Sequence, residues 1–193
     1  MGTCMAVNPV LIVGSISLDT IETISDRRES ILGGSATYAT VSAGKSADVH
    51  LVGIIGTDFP AEWITIFEEY SQDLSNLDQK DGQTFSWGGR YLEDWDHRET
   101  LFTELGVFAN YKPKLTEKNK NTPILFLANI HPELQLSVLQ QNSKRECVII
   151  DTMNLWINTE RKKLKEVIGY CDVLLLNEFE AEQFTRRKNH DDQ

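Results

Sequence analysis

Five short, nearly uninterrupted apolar runs are spaced along this chain, at residues 10–16, 50–56, 123–128, 147–150 and 172–176. Runs of that length without polar alternation are strands covered on both faces, the condition of a parallel sheet. Helical segments separate them. Buried strands alternating with helices are the signature of an α/β fold, a doubly wound, mostly parallel sheet with helices on both faces. The 193 residues suffice for one sizeable core, since a chain of this size buries roughly 70% of its unfolded surface. One domain is expected over residues 1–193.

The segments between the runs have distinct characters. Residues 35–47 read as a helix of small side chains, suited to close packing on a sheet. Thr57-Asp58-Phe59-Pro60 opens a second helix, with Asp58 or Thr57 as its cap and Pro60 in its first turn. Trp63, Ile66, Phe67 and Tyr70 then recur at helical spacing and form a core stripe. Residues 71–82 are polar and read as a loop. Residues 84–92 and 98–106 are rich in aromatic and β-branched residues and flank Glu93-Asp94-Trp95-Asp96, a hairpin pattern. Paired with residues 19–32, which read as one or two short strands, the hairpin would make a small β lid over about 19–32 and 83–106; an antiparallel edge on the main sheet is the other placement. His131-Pro132-Glu133 opens another helix, and residues 159–168 form a basic amphipathic one.

Several chemistries find no support. The formal net charge of −10 argues against a nucleic-acid or anionic-membrane partner, because neither surface attracts an acidic protein. No apolar run approaches membrane-spanning length. Cys4, Cys147 and Cys171 have no metal spacing, and the last two sit in or beside apolar runs as buried thiols. A cytoplasmic protein is expected. There is no P-loop, no G-x-G-x-x-G and no G-x-S-x-G elbow, and the four histidines lack zinc spacing.

What remains lies at the strand ends. Asp19, Asn129, Asp151 and Asn177 each stand just past a run. In open α/β sheets that edge is where ligands bind. A carboxylate there can accept hydrogen bonds from vicinal hydroxyls; a turn residue is the plainer reading of each one singly. Gly33-Gly34-Ser35 enters the small-residue helix. Glycine allows close backbone approach, Ser35 is placed to cap the helix, and free N–H groups at a helix start favour a polar oxygen or anion.

Taken in order, these motifs resemble the ribokinase-like (PfkB-type) sugar and nucleoside kinases. Gly14-Ser15-Ile16 with Asp19, then Gly33-Gly34-Ser35-Ala36-Thr37-Tyr38-Ala39, then Gly53-Ile54-Ile55-Gly56-Thr57-Asp58, match the N-terminal part of that family. Asn177-Glu178-Phe179-Glu180 matches its N-x-x-E motif. The resemblance implies that Asp19 holds substrate hydroxyls and that Gly33 and Gly34 let the backbone reach the substrate. It places Asn177 and Glu180 at the ATP triphosphate and Mg²⁺, with Glu180 toward the metal. Asn129 and Tyr38 would help set the substrate, a sugar or nucleoside.

The sequence departs from the family twice. Tyr38 stands where the family carries Asn, and would either stack on a sugar or base or fill core. The family's G-A-G-D motif, with the catalytic base, does not occur. The base is therefore expected beyond residue 193, and the chain as given would bind substrate weakly without transferring phosphate. A truncated chain would expose apolar sheet faces, giving poor solubility or a dimer. The alternative is a non-catalytic ligand-binding module of the same fold, dimerising through the lid. A Rossmann-type binder lacks its glycine fingerprint.

Overall fold

The computed structural model describes residues 8–92 and 98–187. The turn at residues 93–96 and Cys4 fall outside them. Six strands form the main sheet: β1 (Val10–Val13), β4 (Val49–Gly56), β5 (Asp73–Lys80), β8 (Ile124–Leu127), β9 (Cys147–Asp151) and β10 (Val173–Leu175), in the order β10-β9-β8-β1-β4-β5. Every pairing in this sheet is parallel. All eight residues of β4 are buried, as its unbroken apolar pattern requires. Helices cover the sheet, among them α1 (Ser35–Ala43), α2 (Ala61–Tyr70), α3 (Pro132–Gln141) and α5 (Arg161–Ile168).

Two apolar clusters hold these layers together. One joins β1, β8 and β9 to α3 through Leu11, Leu125, Leu136, Leu139 and Ile150. The other joins β1 and β4 to α1 and α2 through Ile12, Ile16, Ala36, Leu51 and Phe67. Phe67 is fully buried and stacks on Phe59 with ring centroids 6.0 Å apart. Burying a side chain of that kind contributes about 1.5–3 kcal/mol. The stripe of Trp63, Ile66, Phe67 and Tyr70 turns inward as its spacing requires.

The second sheet has the order β3-β2-β6-β7, from β2 (Ser17–Glu22), β3 (Arg27–Gly33), β6 (Ser86–Tyr91) and β7 (Arg98–Glu104). β2 pairs with β3 and β6 with β7 antiparallel, while β2 and β6 run parallel. This is a separate small sheet and not an edge of the main one.

Five local expectations are corrected. Residues 71–82 are not a loop, because β5 pairs along β4 from Val52↔Asn76 to Gly56↔Lys80. Its two buried polar residues, Asp73 and Asn76, have partners: Asn76 donates to the Lys114 carbonyl at 2.7 Å and accepts from Thr116 N–H and Asn119. Burial pushes the Asp73 carboxyl up, but hydrogen bonds from Lys118 and Ser75 outweigh it and hold it at about 2. Ser35 does not cap α1, whose cap is Gly34. Neither Thr57 nor Asp58 caps α2, which starts after Pro60; Asp58 Oδ1 instead accepts from both the N–H and the hydroxyl of Thr84, each at 2.7 Å. The stretch 159–168 is broken at Glu160 between α4 (Asn154–Thr159) and α5. Cys147 and Cys171 are half-buried rather than buried.

Candidate active site

The chain runs from β1 to β4 and β5 on one side, then returns to β8, β9 and β10 on the other. The direction reverses between β1 and β8, and ligands of open α/β sheets bind outside the carboxyl ends of the strands at such a point. Register aligns those ends: Val13 faces Leu127, Leu127 faces Ile150, and Asp151 faces Leu175. Ser15, Asn129, Asp151 and Asn177 thus share one edge. A cleft of about 1490 Å³ opens there, lined by Ser15, Asn129, Met153 and Trp156 from the main domain and by Phe85 and Trp87 beside or on the small sheet.

The glycine pair is explained by close contacts. A Cβ on Gly33 would stand 2.1 Å from Asp19 Oδ2, in the space the carboxylate occupies. Gly34 has φ of 98°, a conformation that side chains resist, and a Cβ there would meet the Ser15 carbonyl at 2.4 Å. The N-terminus of α1 is also not open to an anion. The Ser35 N–H donates to Ser15 Oγ at 3.1 Å and the Ala36 N–H to the Ser15 carbonyl at 3.0 Å. The Ser35 hydroxyl donates to the Asn129 carbonyl at 2.9 Å, stitching β1, α1 and the end of β8 together.

Asp19 lies within β2, next to a register shift between Asp19 and Ile21 that breaks the strand's regular alternation. Burial raises its carboxyl above the usual range, and hydrogen bonds from the Ser17 side chain and the Trp87 backbone only partly offset this. Its Oδ1 is buried without a hydrogen-bond partner. Buried carboxylate oxygens are ordinarily satisfied, so this one stands out as an acceptor.

Asn129 is half-buried, and its side chain is held from two sides. Oδ1 accepts from the Trp156 indole N–H at 2.9 Å, and Nδ2 lies 3.2 Å from the Met153 sulfur. Tyr38 is not core: it is 67% exposed on α1. Asn177 and Glu180 sit beyond β10 and bond to each other. Asn177 Oδ1 accepts from the Glu180 N–H at 2.9 Å, and Glu180 Oε2 accepts from the Asn177 N–H at 3.0 Å, a capping box for α6 (Glu178–Thr185). Asp151 lies beside this pair. Burial, and next the Glu180 carboxylate, push its carboxyl up to about 6, against hydrogen bonds from the Thr152 and Asn129 backbones.

The residues therefore fall into three groups. Ser15, Ser35 and Asn129 join the ends of β1 and β8, Asp19 and Gly33 meet each other in the small sheet with Gly34 against Ser15, and Asn177, Glu180 and Asp151 gather at the ends of β9 and β10. Tyr38 joins none of them through any hydrogen bond of its side chain among those described. Ser15 is visible in sequence only as part of Gly14-Ser15-Ile16, without a role, and Met153 and Trp156 are not singled out at all. An isolated methionine or tryptophan reads as packing until its neighbours across the sheet are known.

No family model matches the chain. It is 29% identical over 180 residues to a cytidine kinase of Thermococcus kodakarensis, covering 91% of this chain and 64% of that protein. Its structure is similar to that of a Methanocaldococcus jannaschii nucleoside kinase described as an archaeal member of the ribokinase family (TM-score 0.74, 19% identity, 94% of this chain and 64% of that one). It is also similar to an Arabidopsis thaliana ribokinase complexed with ribose and ATP (TM-score 0.73, 17% identity, 96% and 65%). The chain thus spans just under two thirds of the length of the proteins it matches. In fold it is ribokinase-like, and its resemblance to the PfkB-type carbohydrate and nucleoside kinases holds in both sequence and structure.

Proposed function

We propose that these residues form the substrate-binding side of an ATP-dependent kinase, with part of its phosphate-binding side, acting on a hydroxyl of a nucleoside or sugar. The single observation that carries the reading is the buried, unpartnered Oδ1 of Asp19, whose other oxygen, Oδ2, fills space that only a glycine at 33 leaves free. Such an oxygen gains most from a ligand O–H donor, because leaving a buried acceptor unsatisfied costs about 1–3 kcal/mol. Two of the proteins it resembles, a cytidine kinase and a ribokinase complexed with ribose and ATP, are of the same chemistry.

Asp19 would accept from vicinal hydroxyls of the substrate, and Gly33 would leave the carboxylate the room it takes. At the other end, the carboxylates of Asp151 and Glu180 repel each other, which favours a cation between or beside them. Mg²⁺ takes oxygen ligands, is commonly held by one or two carboxylates plus phosphates, and keeps several waters. The two carboxylates fit that demand, and among the described residues there is no larger metal-binding cluster. Bound there, Mg²⁺ would supply charge neutralisation at the transferring phosphates. Asn177 orients Glu180 through the capping box, leaving Glu180 Oε1 for solvent or ligand.

The alternative, a non-catalytic binding or dimerisation module, draws on Val173 and Leu175 of β10 and Phe179 of α6, all exposed at one end of the sheet. A thermal-shift panel of ribose, cytidine and inosine, each with and without a non-hydrolysable ATP analogue and Mg²⁺, tests the kinase reading. A bound ligand raises apparent stability in proportion to the logarithm of its excess over Kd. Saturable shifts with a polyhydroxyl ligand, increased by the nucleotide with Mg²⁺, are expected. No shift with any of them would overturn the reading.

A further inference from the structure

We infer that Trp156 is a positioning residue that fixes the Asn129 amide so that it offers an N–H donor to the acceptor edge of a heteroaromatic base. The inference rests on the proposed nucleoside or sugar reading and deepens it to the nucleoside class. An asparagine amide can turn over, exchanging donor for acceptor. Here it is held, because an indole N–H can only donate and the atom it meets at 2.9 Å must be the amide oxygen. Nδ2 is then directed to the Met153 sulfur at 3.2 Å. A thioether is a weak acceptor, so a carbonyl oxygen or ring nitrogen brought into the cleft would outcompete it.

The surroundings suit a flat ring. Asn129, Met153 and Trp156 all line the cleft, as does His131, whose ring meets Trp156 edge-on with centroids 5.0 Å apart. That contact and the indole–amide bond hold Trp156 from two directions. Trp87 lines the cleft from the small sheet, and its backbone bonds to Asp19. The base-side donor thus lines the cleft, and the hydroxyl-side acceptor bonds to one of its lining residues. The opening, about 1490 Å³, has room for a base beside a pentose.

The test measures binding of cytidine and of ribose to the full chain by calorimetry, for the wild type, Trp156→Phe and Asn129→Asp, with melting curves for each. Trp156→Phe keeps an aromatic ring and removes the N–H. Asn129→Asp can still accept from Trp156 but presents an acceptor where the wild type presents a donor. A site built to donate to a ligand discriminates strongly against losing that bond. The wild type should bind cytidine at least tenfold more tightly than ribose. Asn129→Asp should remove most of that advantage, and Trp156→Phe should weaken cytidine about tenfold while changing ribose less than twofold. Equal binding of cytidine and ribose, or variants that keep the wild-type preference, would overturn the inference while leaving the nucleoside-or-sugar reading intact. Binding of neither ligand would overturn both. Where a variant melts well below the wild type, the binding ratio of the two ligands to its folded fraction decides, since a purely structural defect lowers both alike.

Discussion

Asp151→Asn should stabilise the protein at neutral pH, although it alters a residue at the heart of the proposed phosphate end. The Asp151 carboxyl is raised from 3.8 to about 6, first by burial and then by Glu180. The folded state therefore binds this proton more tightly than the unfolded state does. Between about 3.8 and about 6 the native protein carries more protons, so stability falls as pH rises through that window. Above it the ionised Asp151 costs the fold its full penalty. About two pKa units correspond to about 3 kcal/mol, and solvent screening of a half-exposed carboxyl brings this to about 1–2 kcal/mol. The amide keeps one acceptor for the Thr152 or Asn129 N–H and removes the repulsion with Glu180. Urea denaturation at about pH 5 and about pH 8, which crosses about half of the window, should show wild type losing stability across the interval and the variant losing less by about 0.5–1 kcal/mol. Added Mg²⁺ should recover stability for wild type at the higher pH and do little for the variant. A variant less stable than wild type at about pH 8, or one with an unchanged pH slope, would refute the reasoning.

Gly33→Ala forces a Cβ within 2.1 Å of Asp19 Oδ2; it should destabilise by about 1–3 kcal/mol, measured by urea titration, and abolish ligand-induced thermal shifts. Phe67→Ala empties a fully buried site between sheet and α2 and should cost about 3–5 kcal/mol, enough to lose the cooperative melting transition at moderate temperature. Tyr38→Ala, at a 67% exposed position, should change stability by no more than about 0.5 kcal/mol, so any large loss of ligand binding in calorimetry would mark Tyr38 as a contact of the ligand.

The strands of the main sheet were legible where burial on both faces makes the pattern continuous, as in β1, β4, β8 and β9. β5 was not. Asp73, Asn76 and Asp78 read as loop composition, because Asp78 is exposed and the partners that make burial of the other two tolerable, Lys118 for Asp73 and Lys114, Thr116 and Asn119 for Asn76, lie some forty residues away. The small sheet was legible from its aromatic and β-branched content, but its parallel β2–β6 join depends on tertiary contact. Gly33 and Gly34 were visible as a motif, while their cause, the Asp19 carboxylate and the Ser15 carbonyl, appears only once β2 and β3 pair. Ser35 looked like a cap and instead bonds across the switch point to Asn129. N-x-x-E was legible as a motif, and the structure adds that its two residues cap α6 through each other.

The central claim is that the buried Asp19 carboxylate receives substrate hydroxyls. Calorimetric titration of cytidine and ribose into wild type and Asp19→Asn, both with ATP analogue and Mg²⁺, tests it most directly. Saturable binding to wild type that falls by tenfold or more in Asp19→Asn, with the variant still folded and melting cooperatively, is the predicted result. Equal binding to the two proteins, or none to either, would contradict it.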